Sequence, residues 1–260
     1  MTDAPAKKPK LSALVVARNE EVQLADCLSA LTFADEIVVV LDRSTDRSAE
    51  IARQFTTRII EGGWEVEGHR RAAGIDACSG DWILEVDADE RVSPALAAEV
   101  RAAIGRAPFG YFLIPYDNYV GKRLVRYGWG ASWGVSATVR LFAKGAKRWG
   151  DQRVHPVLTL QGERMWLKGR MIHYVDRDIS DMIRRLDRYT DARAADLVAS
   201  GDLGTFNHNV RRIFSRFFKC YVMRKGYREG RYGFLIALMA GLFPILSYLK
   251  ARERQETNRG

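Results

Sequence analysis

Cysteine is scarce in this chain, and its few thiols are poorly spaced for cross-linking. The three cysteines, Cys27, Cys78 and Cys220, form no CxxC pair and no even-numbered framework. Domains that depend on disulfides carry such frameworks, whereas proteins of reducing compartments keep their thiols free. We therefore expect three free thiols and a reducing compartment.

The chain also lacks an apolar leader and internal repeats. Its first ten residues, MTDAPAKKPK, are polar and charged, so we expect a flexible tail over residues 1–10 and no export. Of the 260 residues, 47% are hydrophobic and 28% are charged, a balance that argues against disorder. This length permits one sizeable domain with an appendage.

Acidic residues are few in the last part of the chain. Residues 205–260 hold twelve Lys/Arg and three Asp/Glu, a net charge of +9 that equals the charge of the whole chain. The first 204 residues are therefore neutral overall. The same segment is rich in Phe, Tyr, Leu and Ile, and a basic, apolar segment favours a membrane surface over nucleic acid.

Short apolar runs in the first half predict the strands of a parallel sheet. They alternate with stretches of helical periodicity, which is the pattern of βαβ units. The predicted strands are Leu11–Ala17, Glu36–Leu41, Thr57–Ile60 and Asp81–Val86. The predicted helices follow Asn19 as a candidate N-cap, cover Ser44–Phe55 and Glu67–Cys78, and begin again at Pro94.

The second half changes character. Residues 109–174 predict short strands with many Gly and Trp residues, and three helices are predicted at Ile179–Ala199, Val210–Lys225 and Arg231–Lys250. Together these patterns predict the α/β class. We expect a mostly parallel, Rossmann-like sheet with flanking helices, followed by amphipathic and apolar C-terminal helices.

Polar residues follow the predicted strands at the edge where such sheets bind ligands. Asn19 and Glu20 follow the first strand, and Asp42 follows the second. Asp87 and Asp89 follow the fourth, where two carboxylates one residue apart can hold Mg²⁺ or Mn²⁺. Such a cation can bridge the phosphates of a nucleotide and offset the charge of a diphosphate leaving group.

These segments carry a family resemblance. LVVARNEE, EIVVVLDRSTD and RRAAGIDACSGDWILEVDADE resemble family 2 glycosyltransferases with the GT-A fold, over roughly Leu11 to Arg91. The later segments TVRLFAKG, QRVHPVLTLQG, MIHYVDRDI and LDRYTDARAAD resemble the bacterial subgroup that adds sugars to lipopolysaccharide core or related envelope glycans. YVMRKGYREGRYG is similar to the basic, aromatic segment that often ends members of this subgroup.

The resemblance implies an inverting, metal-dependent enzyme of the hexosyltransferase type. Residues that would contact the nucleotide-sugar donor, with UDP as the expected nucleotide, are Asn19, Glu20, Asp42, Arg71 and Asp87. Asp89 would be the principal ligand of Mg²⁺ or Mn²⁺, with Asp87 touching ribose or metal. His173 also matches the subgroup, but the sequence assigns it no role.

Three departures from the family pattern affect the site. The loop Asp42–Asp46 is one residue shorter than the usual D-x-G-S-T-D and lacks its glycine, and Ala72 stands where Asn commonly follows the basic residue. His155 is followed by Pro156, where relatives often have Glu. Inverting transfer to a hydroxyl needs a base, and the candidate bases are Asp151, His155 and Glu163.

Two aromatic features leave alternatives open. Trp129, Trp133 and Trp149 are interpreted either as a sugar-binding platform or as core residues. Tyr232–Leu249 has no charge over eighteen residues, near the lower limit for a membrane span, and contains Pro244. We favour peripheral or monotopic attachment over a span, and a buried helix that pairs with another subunit is the third interpretation.

The sequence therefore predicts a GT-A domain over residues 11–204 and a membrane-association segment over residues 205–260. Its expected partners are a nucleotide sugar, a lipid-linked glycan such as lipopolysaccharide core and an anionic membrane, without nucleic acid. Its expected location is the cytoplasmic face of the inner membrane. The alternatives are a polyprenyl-phosphate glycosyltransferase and a non-catalytic membrane or nucleic-acid binder; the oligomeric state is left open.

Overall fold

The computed structural model describes residues 8–130, 133–150 and 158–257. The chain forms two compact units. The first comprises Met1–Pro115 and Ala137–His173, and the second comprises Tyr116–Ser136 and Tyr174–Gly260. The boundary predicted after residue 204 therefore falls inside the second unit.

A four-stranded parallel sheet forms the first part of the chain. β1 (Leu11–Ala17) pairs with β2 (Glu36–Asp42) on one side and with β4 (Trp82–Asp87) on the other. β3 (Ile59–Gly62) extends the sheet beyond β2. All of β1 is buried, which explains its unbroken apolar run, because helices cover both faces of such a sheet.

Largely antiparallel pairing extends this sheet, in the order β3-β2-β1-β4-β8-β6-β12-β5, with β7 and β11 both paired to β6. β9 and β10 form a separate two-stranded sheet. The remaining strands are β5 (Glu90–Arg91), β6 (Gly110–Val120), β7 (Arg123–Val125), β8 (Ala137–Ala143), β9 (Lys147–Trp149), β10 (Leu158–Leu160), β11 (Glu163–Trp166) and β12 (Met171–Asp176). The predicted α/β fold is confirmed, with the parallel part confined mainly to the first four strands.

The described part of the first unit contains four helices: α1 (Leu24–Ser29), α2 (Ser48–Arg53), α3 (Glu67–Ala77) and α4 (Pro94–Ile104). α4 begins as predicted, with the Ser93 hydroxyl accepting a hydrogen bond from the Leu96 amide. The prediction of Asn19 as an N-cap is wrong. Asn19 adopts a left-handed φ of 55° in the preceding loop, and α1 begins only at Leu24.

The second unit is built on three helices: α5 (Ile179–Ser200), α6 (Phe206–Phe218) and α7 (Arg231–Thr257). A π-helical turn, Lys219–Met223, and a 3₁₀ turn, Gly226–Glu229, join α6 to α7. Trp129 and Trp133 are buried in this unit's core, so both are packing residues and neither is an exposed sugar platform. The Arg185 guanidinium lies 4.0 Å from the ring centre of Trp133.

The three cysteines are confirmed as free thiols, and each is buried. Burial raises the pKa of Cys27 and of Cys78 to about 12. Both thiols are therefore protonated at neutral pH, which makes them packing groups and not nucleophiles.

Candidate active site

The carboxyl ends of β1, β2 and β4 lie side by side at one edge of the first unit. Val16 of β1 stands opposite Val40 of β2 and opposite Asp87 of β4. Asn19 and Glu20 follow β1, and Asp42 ends β2. This register brings all of these side chains to the edge where parallel sheets bind ligands.

Two loops at this edge are joined by hydrogen bonds. The Asn19 Oδ1 accepts a hydrogen bond from the Thr45 amide at 2.8 Å, and the Glu20 amide donates to the Ser48 hydroxyl at 2.9 Å. Asp46 lies just before α2, and its carboxylate accepts a hydrogen bond from the Ser48 amide at the start of that helix. Arg43 has a φ of 50°, so the loop that lacks the usual glycine still makes a left-handed turn.

Asp42 is buried and accepts hydrogen bonds from three donors. These are the Trp64 amide at 3.2 Å, the Arg43 Nε at 3.1 Å and the Arg70 Nη1 at 3.2 Å. Burial alone would raise the pKa of Asp42, but these donors outweigh it and hold the pKa below 3.8. Asp42 is therefore an ionised carboxylate that fixes the loop beside it.

A buried ion network lies beneath the Asp87 turn. Its three cations are Arg71, Arg140 and Lys147, and its three carboxylates are Glu85, Asp87 and Glu90. Arg71 contacts Glu85 and lies 3.3 Å from the Asp87 Oδ1, while Arg140 contacts the Asp87 Oδ2 and Glu90. The Lys147 Nζ donates to the Glu85 Oε2 at 2.6 Å.

This network keeps Glu85 and Asp87 charged in spite of their burial, whereas burial raises the pKa of Glu90. Burial opposes ionisation of Glu85, but Lys147, Arg71 and Arg140 outweigh it and lower the pKa to about 2. Burial is likewise outweighed at Asp87, where Arg140 and Arg71 hold the pKa far below its ordinary value. Asp87 is therefore held in place as a charged group by two guanidinium groups.

Asp89 sits in the turn after β4 and faces a residue whose role the sequence did not assign. Its side chain is 33% exposed, and its Oδ2 lies 3.4 Å from the His173 Nε2. The pairing of β12 with β5, which sets His173 opposite Glu90, brings this imidazole to the turn. Burial lowers the pKa of His173, but the hydrogen bond and charge of Asp89, with the charge of Glu90, raise it above 6.5 overall.

Glu20 stands in a concentrated negative field. Burial, followed by the charges of Asp89, Asp46 and Asp87, raises its pKa to about 7. Four carboxylates from three loops thus act on one another at this edge. Such mutual repulsion is relieved when a cation or a cationic ligand binds.

The arrangement is compatible with a divalent cation held mainly by Asp89. Among residues 8–130, 133–150 and 158–257, no group of three His, Cys, Asp or Glu side chains forms a complete metal site. Asp89 could supply a carboxylate oxygen and His173, once its imidazole has lost its proton, a nitrogen; a nucleotide's phosphates and water would have to complete the shell. Asp87 accepts hydrogen bonds from Arg71 and Arg140, so its main role in this structure is to hold the turn in place.

The structure describes only one of the three candidate bases, Glu163. Asp151 and His155 lie outside the described residues. Glu163 is exposed and stands opposite Gly110 of β6, level with the start of β4 and not with its Asp87 end. Five residues of strand separate Trp82 from Asp87, about 17 Å. Glu163 therefore lies far from the Asp87–Asp89 turn along the sheet, and its role as a base stays a prediction.

Trp149 differs from the two core tryptophans of the second unit. It is half-buried in the first unit, with its ring centre 5.5 Å from the Arg71 guanidinium and 5.1 Å from the Lys147 Nζ. Its indole nitrogen has no hydrogen-bond partner within the part of the chain that the structure describes. Trp149 therefore remains a candidate for contact with a sugar.

Sequence reasoning missed most of the residues that support the site. Arg140, Lys147 and Glu90 carry no local motif, because each finds its partners through strand pairing. Glu85 did carry a signal: it is a charged residue in the buried part of β4, and a buried charge requires a partner. That partner set could not be named from sequence alone.

Comparisons with known proteins agree on the family. The glycosyl transferase family 2 model matches residues 12–149, a little more than half of the chain. A lipopolysaccharide core biosynthesis glycosyltransferase of Rhizobium meliloti, LpsC, is 26% identical over 95% of this chain and 93% of its own length. An uncharacterized glycosyltransferase of Rickettsia typhi is 23% identical over 94% of this chain and 87% of its own length.

Similar solved structures match a smaller part of the chain. Glucosyl-3-phosphoglycerate synthase from Mycobacterium tuberculosis, crystallised with Mg²⁺ and UDP, is 16% identical with a TM-score of 0.36, covering 43% of this chain and 44% of that one. S. aureus TarS is 22% identical with a TM-score of 0.35, covering 44% of this chain and 23% of that one. The family match, over strands β1 to β9, identifies this chain as a member of glycosyl transferase family 2.

Proposed function

We propose that this glycosyltransferase moves a sugar, with inversion, from a nucleotide-sugar donor to a membrane-anchored glycolipid such as lipopolysaccharide core. UDP is the expected nucleotide. The observation that carries the proposal is the Asp89 carboxylate, which stays open to solvent on a turn that buried Arg140 holds through Asp87 and Glu90. A rigid, charged turn of this kind is suited to a metal–diphosphate ligand.

The proposed donor site uses the carboxyl edge of β1, β2 and β4. Asn19 and Glu20 line the nucleoside side, and Asp42 orders the loop that faces the base and ribose. Asp89 and His173 hold Mg²⁺ or Mn²⁺, which offsets the charge of the diphosphate leaving group. Arg71 lies beside Asp87 and is close enough to the turn to support the diphosphate as well.

The acceptor class rests on a different argument. LpsC, which matches nearly the whole chain, acts in lipopolysaccharide core biosynthesis by its name. The basic, apolar end of this chain suits an enzyme whose acceptor is anchored in a membrane. We place the reaction at the cytoplasmic face, where nucleotide sugars are made and thiols stay reduced.

A polyprenyl-phosphate acceptor is the second candidate. A phosphate oxygen is already a nucleophile, so transfer to it needs no general base. Glu163 stands at the opposite end of the sheet from Asp87, an observation that favours this acceptor. Asp151 and His155 are the bases that a hydroxyl acceptor would require.

Calorimetric titration of the full chain with UDP, GDP and CMP, each with and without Mn²⁺, tests the donor site. We expect one nucleotide to bind only with metal, and Asp89→Asn to weaken that binding by about tenfold or more, because one coordinating carboxylate is lost. His173→Ala is expected to raise the Mn²⁺ concentration needed. Asp76→Asn, which changes an exposed carboxylate on α3, is the matched control and should bind as wild type.

Transfer assays distinguish the two acceptors. Core glycolipid and polyprenyl phosphate are offered separately in detergent, and transfer to the glycolipid alone, lost in Asp151→Asn or His155→Gln, supports the first candidate. Transfer to the lipid phosphate, unchanged in both variants, supports the second. A folded wild-type chain that binds none of the three nucleotides overturns the proposed function.

A further inference from the structure

α7 contains the apolar run that suggests membrane insertion. Within residues 8–130, 133–150 and 158–257, it is the one helix that is long and apolar enough to cross a membrane. Half of its apolar stretch is nevertheless buried inside the second unit. Ile236, Ala237 and Ala240 belong to that unit's core. The apolar run of α7 is thus explained by packing.

Close backbone contacts and ion pairs fix α7 within the unit. A methyl group added at Gly241 would lie 2.8 Å from the Ile213 carbonyl oxygen of α6, so the two helices approach closely there. At its other end, the Lys250 Nζ lies 2.6 Å from Asp187 of α5, and Arg254 lies 3.1 Å from Asp191. Insertion of α7 across a bilayer would break these contacts and expose the core.

The core of the second unit covers only part of the apolar surface of α6. Phe217 and Tyr221 pack against the core cluster of the second unit. Phe214 and Phe218, one helical turn apart, stay outside it and are 70% and 55% exposed. The π-helical turn then presents Met223, which is 67% exposed.

Aromatic contacts connect the segments that carry these exposed residues. Phe217 contacts Phe234 of α7, with ring centres 5.5 Å apart, and Tyr221 contacts Tyr227 at 6.4 Å. Phe234 and Tyr227 are themselves half exposed. We call the exposed apolar side chains of these segments the aromatic face. Its members are Phe214, Phe218, Val222, Met223, Tyr227 and Phe234.

The exposed charges of the segment that carries most of the aromatic face, residues 206–231, are all positive. Between residues 206 and 231 there are eight Lys/Arg and one acid, Glu229. Glu229 is buried, where its carboxylate accepts hydrogen bonds from the Arg126 and Tyr127 amides. The exposed cations of this stretch are Arg211, Lys219, Lys225, Arg228 and Arg231.

We propose that the aromatic face docks in the interfacial layer of an anionic lipid bilayer, with α6 parallel to the membrane and α7 retained in the core. Each cation near an anionic surface strengthens binding, and the Phe and Met side chains bury apolar area among the acyl chains. Nucleic acid would satisfy the cations but offers no apolar phase for Val222 and Met223. The inference rests on the proposed membrane-anchored acceptor and names the surface that would reach it.

Sedimentation of the full chain with vesicles tests this docking. We expect binding to phosphatidylcholine–phosphatidylglycerol vesicles, little binding to phosphatidylcholine alone, and a loss of about tenfold or more in Phe214→Ser/Phe218→Ser. Arg211→Glu/Lys219→Glu should lose the preference for the anionic lipid. Ile183→Ser/Leu249→Ser, which changes two apolar residues that are 56% and 46% exposed and lie outside the face, is the control and should bind as wild type.

Two further measurements separate the alternatives. An alkaline wash should release the wild-type chain from vesicles, whereas retention after the wash would show a spanning helix and overturn the inference. Binding by the Phe214→Ser/Phe218→Ser variant equal to wild type, or tighter binding of wild type to RNA than to vesicles, would overturn it too. Nucleotide titration without vesicles separates a failure of membrane docking from a failure of the proposed function. The aromatic-face variants should retain nucleotide binding, and Asp89→Asn should retain vesicle binding.

Discussion

Arg140 holds two carboxylates that would repel each other without it. It contacts Asp87 and Glu90 from β8, inside a network whose members are nearly all excluded from water. The cost of burying these charges is offset only while each has its partner. At the scale of single residues, the rigidity of the Asp87–Asp89 turn therefore depends on a side chain from a distant part of the sequence.

Arg140→Met should destabilise the chain by about 3–5 kcal/mol, because it leaves buried carboxylates without their cation. The free energy of unfolding in urea measures this effect. Arg53→Met is the control, since Arg53 pairs with Glu61 on an exposed surface, and it should cost less than about 1 kcal/mol. Equal effects of the two variants would contradict the importance of the buried network.

His173 shows why some site residues escape sequence analysis. A lone histidine carries no sign of its partner, and His173 reaches Asp89 only because β12 pairs with β5. Asp87 and Asp89, by contrast, could be identified from the sequence because they directly follow an apolar strand. A side chain is predictable when its position depends on its own strand, and unpredictable when it depends on a pairing partner.

Elements pack closely where glycine permits it. α3 lies against the parallel sheet at Gly74, and a methyl group there would lie 2.5 Å from the Leu14 Cδ1 and 2.9 Å from the Val40 Cγ2. Both contacts are with buried side chains of β1 and β2 that have little room to move. The position of α3, which carries Arg70 and Arg71 to the site, thus depends on one glycine.

Gly74→Ala should destabilise the chain by about 1–3 kcal/mol through overpacking. Thermal unfolding followed by circular dichroism measures the loss. Gly105→Ala provides the comparison, because a methyl group there would meet only carbonyl oxygens at 3.7 Å. This second variant should be neutral or slightly stabilising, and a similar loss in both would show that close packing at Gly74 is not the cause.

Glu36 links the start of β2 to its neighbours and makes the fold sensitive to acid. Its carboxylate accepts hydrogen bonds from the Ser12 and Ser79 hydroxyls and lies 3.2 Å from Arg58. Burial opposes ionisation, but these partners outweigh it and lower the pKa from 4.5 to about 2. The lowered pKa stabilises the fold above pH 4.5, and this contribution is lost as the pH falls through 2.

Glu36→Gln should therefore lower the free energy of unfolding at pH 7. The loss of the pKa shift accounts for about 3 kcal/mol of this decrease. The difference from wild type should shrink as the pH falls from 4.5 to 2, because the wild-type carboxylate becomes protonated. Urea unfolding at several pH values measures this difference. A difference that stays constant over that range would contradict the role assigned to Glu36.

At the scale of the whole molecule, the chain closes its second unit with its last helix. Met182 and Leu186 of α5 share a core with Ile236 and Met239 of α7. Residues 116–136 also belong to this unit, although they lie far away in sequence. The C-terminal segment is therefore part of a folded unit in addition to being the most basic part of the chain.

A chain shortened to residues 1–204 should lose the tertiary packing of the second unit. Removal of α6 and α7 exposes Trp133, Met182 and Leu186, so we expect aggregation or loss of the near-ultraviolet circular dichroism signal of the buried tryptophans. Size-exclusion chromatography and circular dichroism measure both. A soluble, monomeric fragment with a sharp unfolding transition would instead support residues 11–204 as an independent domain.

The sequence by itself determined the local elements and the family. The four parallel strands, their connecting helices and the acidic turn after β4 were predictable, because apolar periodicity and strand-end residues are local properties. The resemblance in the first half, confirmed by the family match, follows from the same local segments. The free thiols were predictable from their number and spacing.

Only the tertiary structure decided which residues act together. It brought Arg140 to Asp87, Lys147 to Glu85 and His173 to Asp89, separated Glu163 from the Asp87–Asp89 turn, and buried Trp129 and Trp133 in a core. It also turned the apolar run of α7 inward and left the aromatic face of α6 outside. The physical reason is that strand pairing and burial join residues that are distant in sequence, and no local pattern records which partner a side chain will find.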